Sequence, residues 1–563
     1  MIGLISATAA GAAARDRLAA AWPDRTRVYD GPVGDAVRRA FAECEQLVCF
    51  LATGAVVRLV APLLGDKASD PGVVCVDEGG QFAVSLVGGH GGGANELARE
   101  VGELLGAEPV VTTATDAAGV PGLDTLGLPV EGAVAAVSRA LLDGEPVALR
   151  NDSRWPLPPL PVAPEGAYGI RVTDRLVEPS GQEVVLRPPT LVVGVGASRG
   201  APSAEVLELI EGSLREAGLS PRSVAALATV DAKAGEHGIV EAAGRLGVPL
   251  VTYTAEELAA VEVPNPSDAP LAAVGTPSVA EAAALLGGGE LLVPKRKSTA
   301  SPAMATCAVV RRPARGRLAV VGLGPGARDL LTPRARAELR RASVLVGLDQ
   351  YVDQIRDLLR PGTRVLESGL GAEEERARTA VEEARRGQAV ALIGSGDAGV
   401  YAMASPALAE ASDDIDVIGV PGVTAALAAA AILGAPLGHD HVSISLSDLH
   451  TPWDVIERRV RAAAEADLVV TFYNPRSRGR DWQLPKALAI LAGHREPATP
   501  VGVVRNASRP DESGRLTTLA ALDPATVDMM TVVTVGNTAT RDIAGRMVTP
   551  RGYRWQTSEE GSK

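Results

Sequence analysis

A chain of 563 residues with 46% hydrophobic and 22% charged residues holds roughly three to five domains with buried cores, which excludes a single-motif peptide and broad disorder. Its 55 Lys+Arg against 68 Asp+Glu give a formal charge of −13, which argues against a general nucleic-acid or anionic-membrane binder, so an anionic ligand must meet a local basic pocket. Sixty-one Gly and 40 Pro beside 3% aromatics fit an α/β enzyme with aliphatic cores and many turns.

The first block alternates the aliphatic runs QLVCFLA (46–52), GVVCV (72–76) and PVVTT (109–113) with the helical stretches GDAVRRAFAECEQ and ANELAREVGELLG. That pattern predicts buried parallel strands covered by helices. Arg58, Lys67, Asp70, Asp77 and Glu78 fall in loops between them; paired acids there can divide acid and base roles, or simply form Asp-Pro and Glu-Gly-Gly turns. In FAVSLVGGHGGGANELA (82–98), His90 stands among five glycines before a helix predicted from Asn95 or Glu96. An imidazole there can move a proton while the backbone N–H groups of Gly91–Asn95 cradle an oxyanion; a structural or solvated histidine is the alternative.

The stretch NDSRWPLPPLPVAPEG (151–166) reads as a Pro-rich linker. The middle block repeats the α/β pattern with TLVVGVG (190–196), VAALATV (224–230) and VPLVTY (248–253). A second linker, KRKSTASPAMATCAVVRRPARG (295–316), contains MATCAVV, which predicts a last strand and a boundary near Arg312. The expected division is 1–145, 146–188 (linker and a small middle region), 189–312 and 316–555. Cys44, Cys49, Cys75 and Cys307 are too few and too scattered for a disulfide scaffold, a zinc site or an iron–sulfur centre, so a reducing cytoplasm and no bound metal are expected. No apolar run reaches about 18 residues and the start MIGLISATAAGAAAR lacks a basic region, so neither a membrane span nor a leader is expected.

The third block opens with LAVVGLGPGARDLLTPRARAEL, a strand, a Gly-rich turn and a helix that Thr332 caps and Pro333 begins. GLGPGA also satisfies the GxGxxA dinucleotide fingerprint, with Asp349 as the candidate ribose acid. Four further strand-like runs, AVALIGSGDAGVYAMA (389–404), DLVVTFYNPRSRGR (467–480), TPVGVVRNAS (499–508) and MTVVTVGNT (530–538), end in small or polar residues. VIGVPGVTAALAAAA (417–431) adds a turn before an Ala-rich helix. In an open α/β sheet such ends gather at one ligand-binding edge. Arg476, Arg478 and Arg480 form a charge run that is either solvated or a pocket for carboxylates.

GLGPG, GSGDAGVYAMA, VPGVTAA, FYNPRS and VGNT resemble the tetrapyrrole methyltransferases that use S-adenosylmethionine to build the corrin ring, and SLSDLHTPWDVIERR (445–459) looks most like precorrin-3B C(17)-methyltransferase. The resemblance implies a multidomain α/β protein with parallel or mixed sheets, a two-lobed C-terminal methyltransferase domain and a homodimer formed through it. It implies cofactor contacts at Pro325, Ser395, Gly396, Asp397, Val400, Thr424, Ala425, Asn474 and Ala507. The motif GDAG carries Ala398 where the family commonly has Pro, which predicts a looser turn. Ring contraction needs proton handling, for which Asp448 and His450 are the candidates, a solvated loop histidine being the alternative for His450; Arg476 and Arg478 are candidates for the substrate carboxylates.

VVRLVAPLLGDKASDP, VDEGGQFAVSLVGGHGGGANELA, VVTTATD, GVGASRG, TVDAKAGEHG and LLVPKRKS resemble cobalt-precorrin-5A hydrolase, which opens a lactone on the macrocycle and releases acetaldehyde. This implies His90 as the proton-transfer group, Lys67 and Glu78 as second choices, and Arg199, Lys233 and Glu236 facing the substrate, ordinary polar groups at a helix start being the alternative for these three. Ala197 stands where many relatives carry Cys, which removes a thiol from that position. The substrate expected for both halves is a corrinoid small molecule. Two other readings remain open: a nicotinamide-dependent enzyme, and a non-catalytic tetrapyrrole carrier in the first half.

Overall fold

The computed structural model describes residues 1–66, 69–267, 271–272, 274–477 and 479–552. The chain forms two compact units, one built on Met1–Ala314 and the other on Arg315–Leu359 and the chain from Thr363.

The first unit contains three sheets. β1 (Ile2–Ser6), β2 (Thr26–Val28), β3 (Gln46–Phe50), β4 (Gly72–Val76), β5 (Phe82–Val87) and β6 (Glu108–Val110) lie in the order β2-β1-β3-β4-β5-β6. The β1, β3 and β4 runs are aliphatic and buried because helices cover both faces. The all-parallel expectation fails at β5, which runs antiparallel to β4. The cause is a tight turn in which the Asp77 carboxylate accepts from the N–H groups of Gly79 (3.0 Å) and Phe82 (2.7 Å). β6 is parallel to β5, so the ends of both strands lie at the edge where β1, β3 and β4 begin.

β7 (Val130–Gly132), β8 (Val147–Asn151), β9 (Tyr168–Val172) and β10 (Glu183–Leu186) form a second sheet, ordered β7-β10-β9-β8. Region 146–188 is therefore not a free linker. Its prolines hold an extended chain whose Leu157 and Leu160 are buried against Val147 and Ile170, and Ala163 donates its N–H to the Val147 carbonyl at 2.9 Å. The third sheet holds β11 (Leu191–Ala197), β12 (Val224–Val230), β13 (Leu250–Tyr253), β14 (Glu290–Lys297) and β15 (Ala305–Arg311) in the order β13-β12-β11-β15-β14. Most of MATCAVV lies in β15. Fully buried Glu281 accepts from the Asn265 and Lys295 backbone N–H groups (3.0 and 2.8 Å) and from Asn265 Nδ2 (2.7 Å), which ties β14 to the loop after β13.

In the second unit, β16 (Arg317–Gly322), β17 (Val344–Leu348), β18 (Arg364–Ser368), β19 (Ala389–Gly394) and β20 (Asp416–Val420) make an all-parallel sheet, β18-β17-β19-β16-β20. The short β21 (Gly434–Ala435) leads to a mixed sheet of β22 (His441–Ser445), β23 (Val469–Tyr473), β24 (Pro500–Arg505), β25 (Ser513–Thr518) and β26 (Thr531–Val535), ordered β22-β23-β26-β24-β25. β27 (Arg541–Ile543) and β28 (Arg546–Val548) pair beside β21. These are the two lobes expected of this unit. No helix among the described residues is long and apolar enough to cross a membrane.

The dinucleotide reading of GLGPGA does not fit this topology. β19 lies between β16 and β17, so Asp349 does not end the strand next to the glycine turn. Asp349 instead accepts from the N–H of Gln350 at 2.6 Å. The helix begins only at Pro333, where Thr332 Oγ1 accepts from the Ala335 N–H at 3.1 Å, seven residues past the last glycine of the turn.

Candidate functional site

Three glycines at strand ends in the second unit touch through bare backbone. A Cβ on Gly422 would stand 2.2 Å from the Gly396 carbonyl oxygen, and one on Gly322 would stand 2.7 Å from the same atom. Gly324 and Gly396 exchange N–H···O bonds of 3.0 and 2.8 Å, with Gly324 and Gly396 both in the left-handed region. Asp397 secures the junction by accepting from the N–H groups of Gly399 (2.8 Å) and Gly422 (3.0 Å). The turn therefore closes with Ala398 in place of Pro.

The second lobe supplies the facing wall. Arg509 donates from Nε to the Pro325 carbonyl (2.9 Å) and from Nη2 to Ser395 Oγ (3.3 Å), and Ser508 Oγ accepts from the Ala327 N–H at 3.2 Å. Tyr473 closes the other side. Its hydroxyl accepts from the Ala426 N–H at 2.9 Å and hydrogen-bonds Thr424 Oγ1. The Tyr401 ring lies 5.2 Å from the Tyr473 ring, and Tyr401 donates to the Ser443 carbonyl at 2.7 Å. Burial outweighs its hydrogen bonding and pushes the Tyr401 phenol up. Asn474 Nδ2 donates to Ser445 Oγ at 3.1 Å. Tyr401, Asn474, Asn506 and Ser508 are four of the seven non-glycine residues with left-handed φ among the described residues. Strain held at one place in this way accompanies a site that must keep its shape.

Pro325, Ser395, Gly396, Asp397 and Thr424 thus share one connected cluster, and Asn474 adjoins it through Tyr473. Ala425 begins the helix Ala425–Leu433, Val400 donates its N–H to the Asp397 carbonyl at 3.1 Å, and buried Ala507 sits between Asn506 and Ser508. Sequence reasoning missed Arg509, Tyr473, Tyr401 and Ser445, although Tyr473 stands inside FYNPRS and Arg509 directly follows RNAS.

The proton-handling pair is not assembled. Asp448 accepts from Gln483 Nε2 at 3.0 Å and also faces Arg480, while His450 is exposed on the loop with no ion pair to Asp448. The arginine run also divides. Arg476 donates to the Ala525 carbonyl at 2.7 Å and Arg480 folds back onto the Asn474 carbonyl at 2.7 Å, while Arg478 lies outside the described residues.

In the first unit, His90 follows β5 and its Nε2 lies 2.7 Å from Thr115 Oγ1 and 4.0 Å from Asp116 Oδ2. Asp116 also accepts from Arg99 (2.6 Å), Asn95 (3.1 Å) and Thr113 (2.5 Å). Burial pushes its carboxyl up, but the Thr113 and Arg99 hydrogen bonds and the Arg99 charge outweigh that and hold it below the usual range. The glycines around His90 have a packing cause. A Cβ on Gly92 would meet the Gly72 backbone nitrogen at 2.5 Å. The expected oxyanion cradle is largely closed, since Gly93, Ala94 and Asn95 donate their N–H groups to the carbonyls of His90, Gly88 and Gly89. Glu78 sits exposed at the far end of β5, roughly 17 Å or more of strand away from His90, so the two do not form one site. Lys67 lies outside the described residues.

Arg199, Lys233 and Glu236 do come together. Glu236 accepts from the Gly200 N–H at 2.6 Å and pairs with Lys233 at 3.3 Å. The Gly200 hydrogen bond, then Lys233 and the nearby Arg199 charge, hold its carboxyl down. No thiol stands in for the absent one at Ala197, because all four cysteines are buried.

Residues 317–523 match the family described as Tetrapyrrole (Corrin/Porphyrin) Methylases. Residues 35–116 match Cobalamin synthesis G N-terminal and residues 191–310 match Cobalamin synthesis G C-terminus. A probable cobalt-factor III C(17)-methyltransferase of Salmonella typhimurium is 47% identical over 239 residues, 42% of this chain and 99% of that protein. The precorrin-3B C(17)-methyltransferase of a Sinorhizobium species is 40% identical over 250 residues, 42% of this chain and 97% of its own. The solved structure of the methyltransferase CobJ aligns with 39% identity over 42% of this chain and all of that one, with a TM-score of 0.40. The chain belongs to the tetrapyrrole methylases, and the N- and C-terminal regions of cobalamin synthesis G precede its methylase unit in the sequence.

Proposed function

We propose that the protein is a bifunctional enzyme of cobalamin biosynthesis. Its second unit methylates ring carbon 17 of precorrin-3B or its cobalt-bearing counterpart with ring contraction, and its first unit hydrolyses the lactone of cobalt-precorrin-5A with release of acetaldehyde. The observation that carries the first assignment is the junction of Gly322, Gly396 and Gly422, which lies inside the matched residues 317–523. It presents backbone and small side chains, facing Thr424 and Ala425, as a narrow ligand with many polar atoms requires.

Pro325, Ser395, Gly396, Asp397, Val400, Thr424, Ala425, Asn474 and Ala507 would hold S-adenosylmethionine, which would supply the sulfonium methyl group when bound. Asp397 keeps the GDAG turn and the PGVT turn at one spacing, and Arg509 fixes the carbonyl of Pro325 and the hydroxyl of Ser395. With a nucleophilic ring carbon in line, transfer depends on this positioning more than on acid–base help. In the first unit, His90 moves the proton of lactone opening, and Arg199 and Lys233 meet the substrate carboxylates.

Mass spectrometry of the protein incubated with S-adenosylmethionine and metal-free or cobalt-bearing substrate tests the first activity. One added methyl group on the ring is expected. Affinity for NAD with none for S-adenosylmethionine overturns the assignment. Acetaldehyde release from cobalt-precorrin-5A tests the second, and no release from the intact chain leaves the first unit a carrier.

A further inference from the structure

The histidine loop carries more than a proton-transfer group: its surroundings select one ring nitrogen. His90 Nε2 faces the Thr115 hydroxyl at 2.7 Å and the Asp116 carboxylate at 4.0 Å. That carboxylate is the one acidic group within 4.0 Å of the ring nitrogens among the described residues. Every group bonded to it is a donor: Arg99, Asn95 and Thr113. Ser85 in turn donates to Asn95 Oδ1 at 2.7 Å, which fixes the amide with its NH2 toward Asp116. These donors keep Asp116 ionised, so a carboxylate stands 4.0 Å from Nε2 and favours hydrogen on that nitrogen.

The other nitrogen has no hydrogen-bond partner among the described residues. Nδ1 and Cε1 lie 3.2 Å from the place a Cβ would occupy on Gly122, and Asp124 Oδ1 lies 2.9 Å from that place. Gly122 has φ −64° and ψ 132°, a conformation open to any residue. Backbone freedom therefore does not call for glycine at this position; the space shared with Asp124 Oδ1 and the His90 ring does.

We infer that Thr115 is a positioning residue that holds His90 as the Nε2–H tautomer, leaving the Nδ1 lone pair as the base, and that Gly122 keeps the approach to Nδ1 open. This deepens the hydrolase reading and rests on it for the identity of the proton. Water attacking the lactone carbonyl loses its proton to Nδ1 and the acyl–oxygen bond breaks; the departing alkoxide then collapses to acetaldehyde as its C–C bond to the ring breaks, and the ring carbon that keeps the electron pair takes the proton back. Thr115 orients the ring throughout and exchanges no electrons.

The test uses the full chain labelled with 15N-histidine. His90 is assigned by comparison with His90→Gln, and its ring nitrogen shifts report the tautomer directly. The expected result is Nε2–H in the wild type and in Thr115→Ser, with mixed tautomers in Thr115→Val. With cobalt-precorrin-5A, Thr115→Val lowers kcat for acetaldehyde release by part of the roughly 10²–10⁴-fold that a positioned base contributes, with KM little changed, and Thr115→Ser restores it. Gly122→Ala lowers kcat while leaving the tautomer and the melting temperature in place. An Nδ1–H tautomer in the wild type overturns the inference whatever the activity, as does full activity of Gly122→Ala. No acetaldehyde from a wild type that shows Nε2–H sinks the hydrolase reading instead and leaves the tautomer assignment standing.

Discussion

The phenol of Tyr473, at the end of β23 in one lobe of the methylase unit, accepts the backbone N–H of Ala426 in the first turn of the helix Ala425–Leu433, at 2.9 Å. It acts as a cap from another strand, since Thr424 turns its own hydroxyl toward Tyr473. Removing the hydroxyl in Tyr473→Phe leaves the ring in place and loses about 0.5–1.5 kcal/mol of hydrogen bonding. Calorimetric titration should then show roughly three- to tenfold weaker S-adenosylmethionine binding, with a melting temperature close to that of the wild type.

Arg509 reaches from the loop after β24 to Pro325 and Ser395. Arg509→Met keeps the apolar stem and removes both donors. Because these are charge-assisted bonds to neutral acceptors, the loss should approach the range of about 1.5–3 kcal/mol, read as at least a roughly tenfold rise in the cofactor Kd. Unchanged affinity would show that the loops hold their spacing without it.

Gly422→Ala drives a Cβ to 2.2 Å from the Gly396 carbonyl. Neither neighbour is a side chain that can swing aside, so the backbone must move, at a cost of about 1–3 kcal/mol or more. Thermal unfolding should show the second unit destabilised, and cofactor binding should be lost along with it.

Asp116 gives the first unit an acid-sensitive element. Its carboxyl titrates below its ordinary value of 3.8 in the folded chain, burial being outweighed by Thr113 and Arg99. A depressed folded value means the stabilisation is complete above the unfolded value and fades as pH falls through and below it. Asp116→Asn should therefore unfold more easily than the wild type at pH 7, with the gap closing between about pH 4 and the folded value, as measured by denaturant titration at each pH.

Much of the methylase cluster could be read from the chain because its loops follow aliphatic strands and end in glycine, and a parallel sheet gathers such ends at one edge. Its side-chain closure could not. Tyr473 and Arg509 act across lobes, and nothing local marks a tyrosine that will cap a distant helix. Asp448 and His450 are close in sequence, yet Asp448 is bonded to Gln483 and His450 stands exposed. In the first unit, the glycines around His90 looked like an anion nest. Gly88 and Gly92 are held to glycine by the Gly72 backbone, Gly89 by Asn95 and Thr113, and Gly93 by Gln46, neighbours brought in by a reversal at β5 that aliphatic patterning does not encode. Arg199, Lys233 and Glu236 were legible because two strand ends of a parallel pair, β11 and β12, bring them together.

The glycine junction also bears on how such an enzyme can diversify. Where three loops meet through main chain alone, no side chain is available to be exchanged for a slightly larger or smaller one, so inheritance at Gly322, Gly396 and Gly422 is all or nothing. Gradual change has to enter through the opposite wall, where Ser445, Asn474 and Arg480 make contacts that substitution can grade.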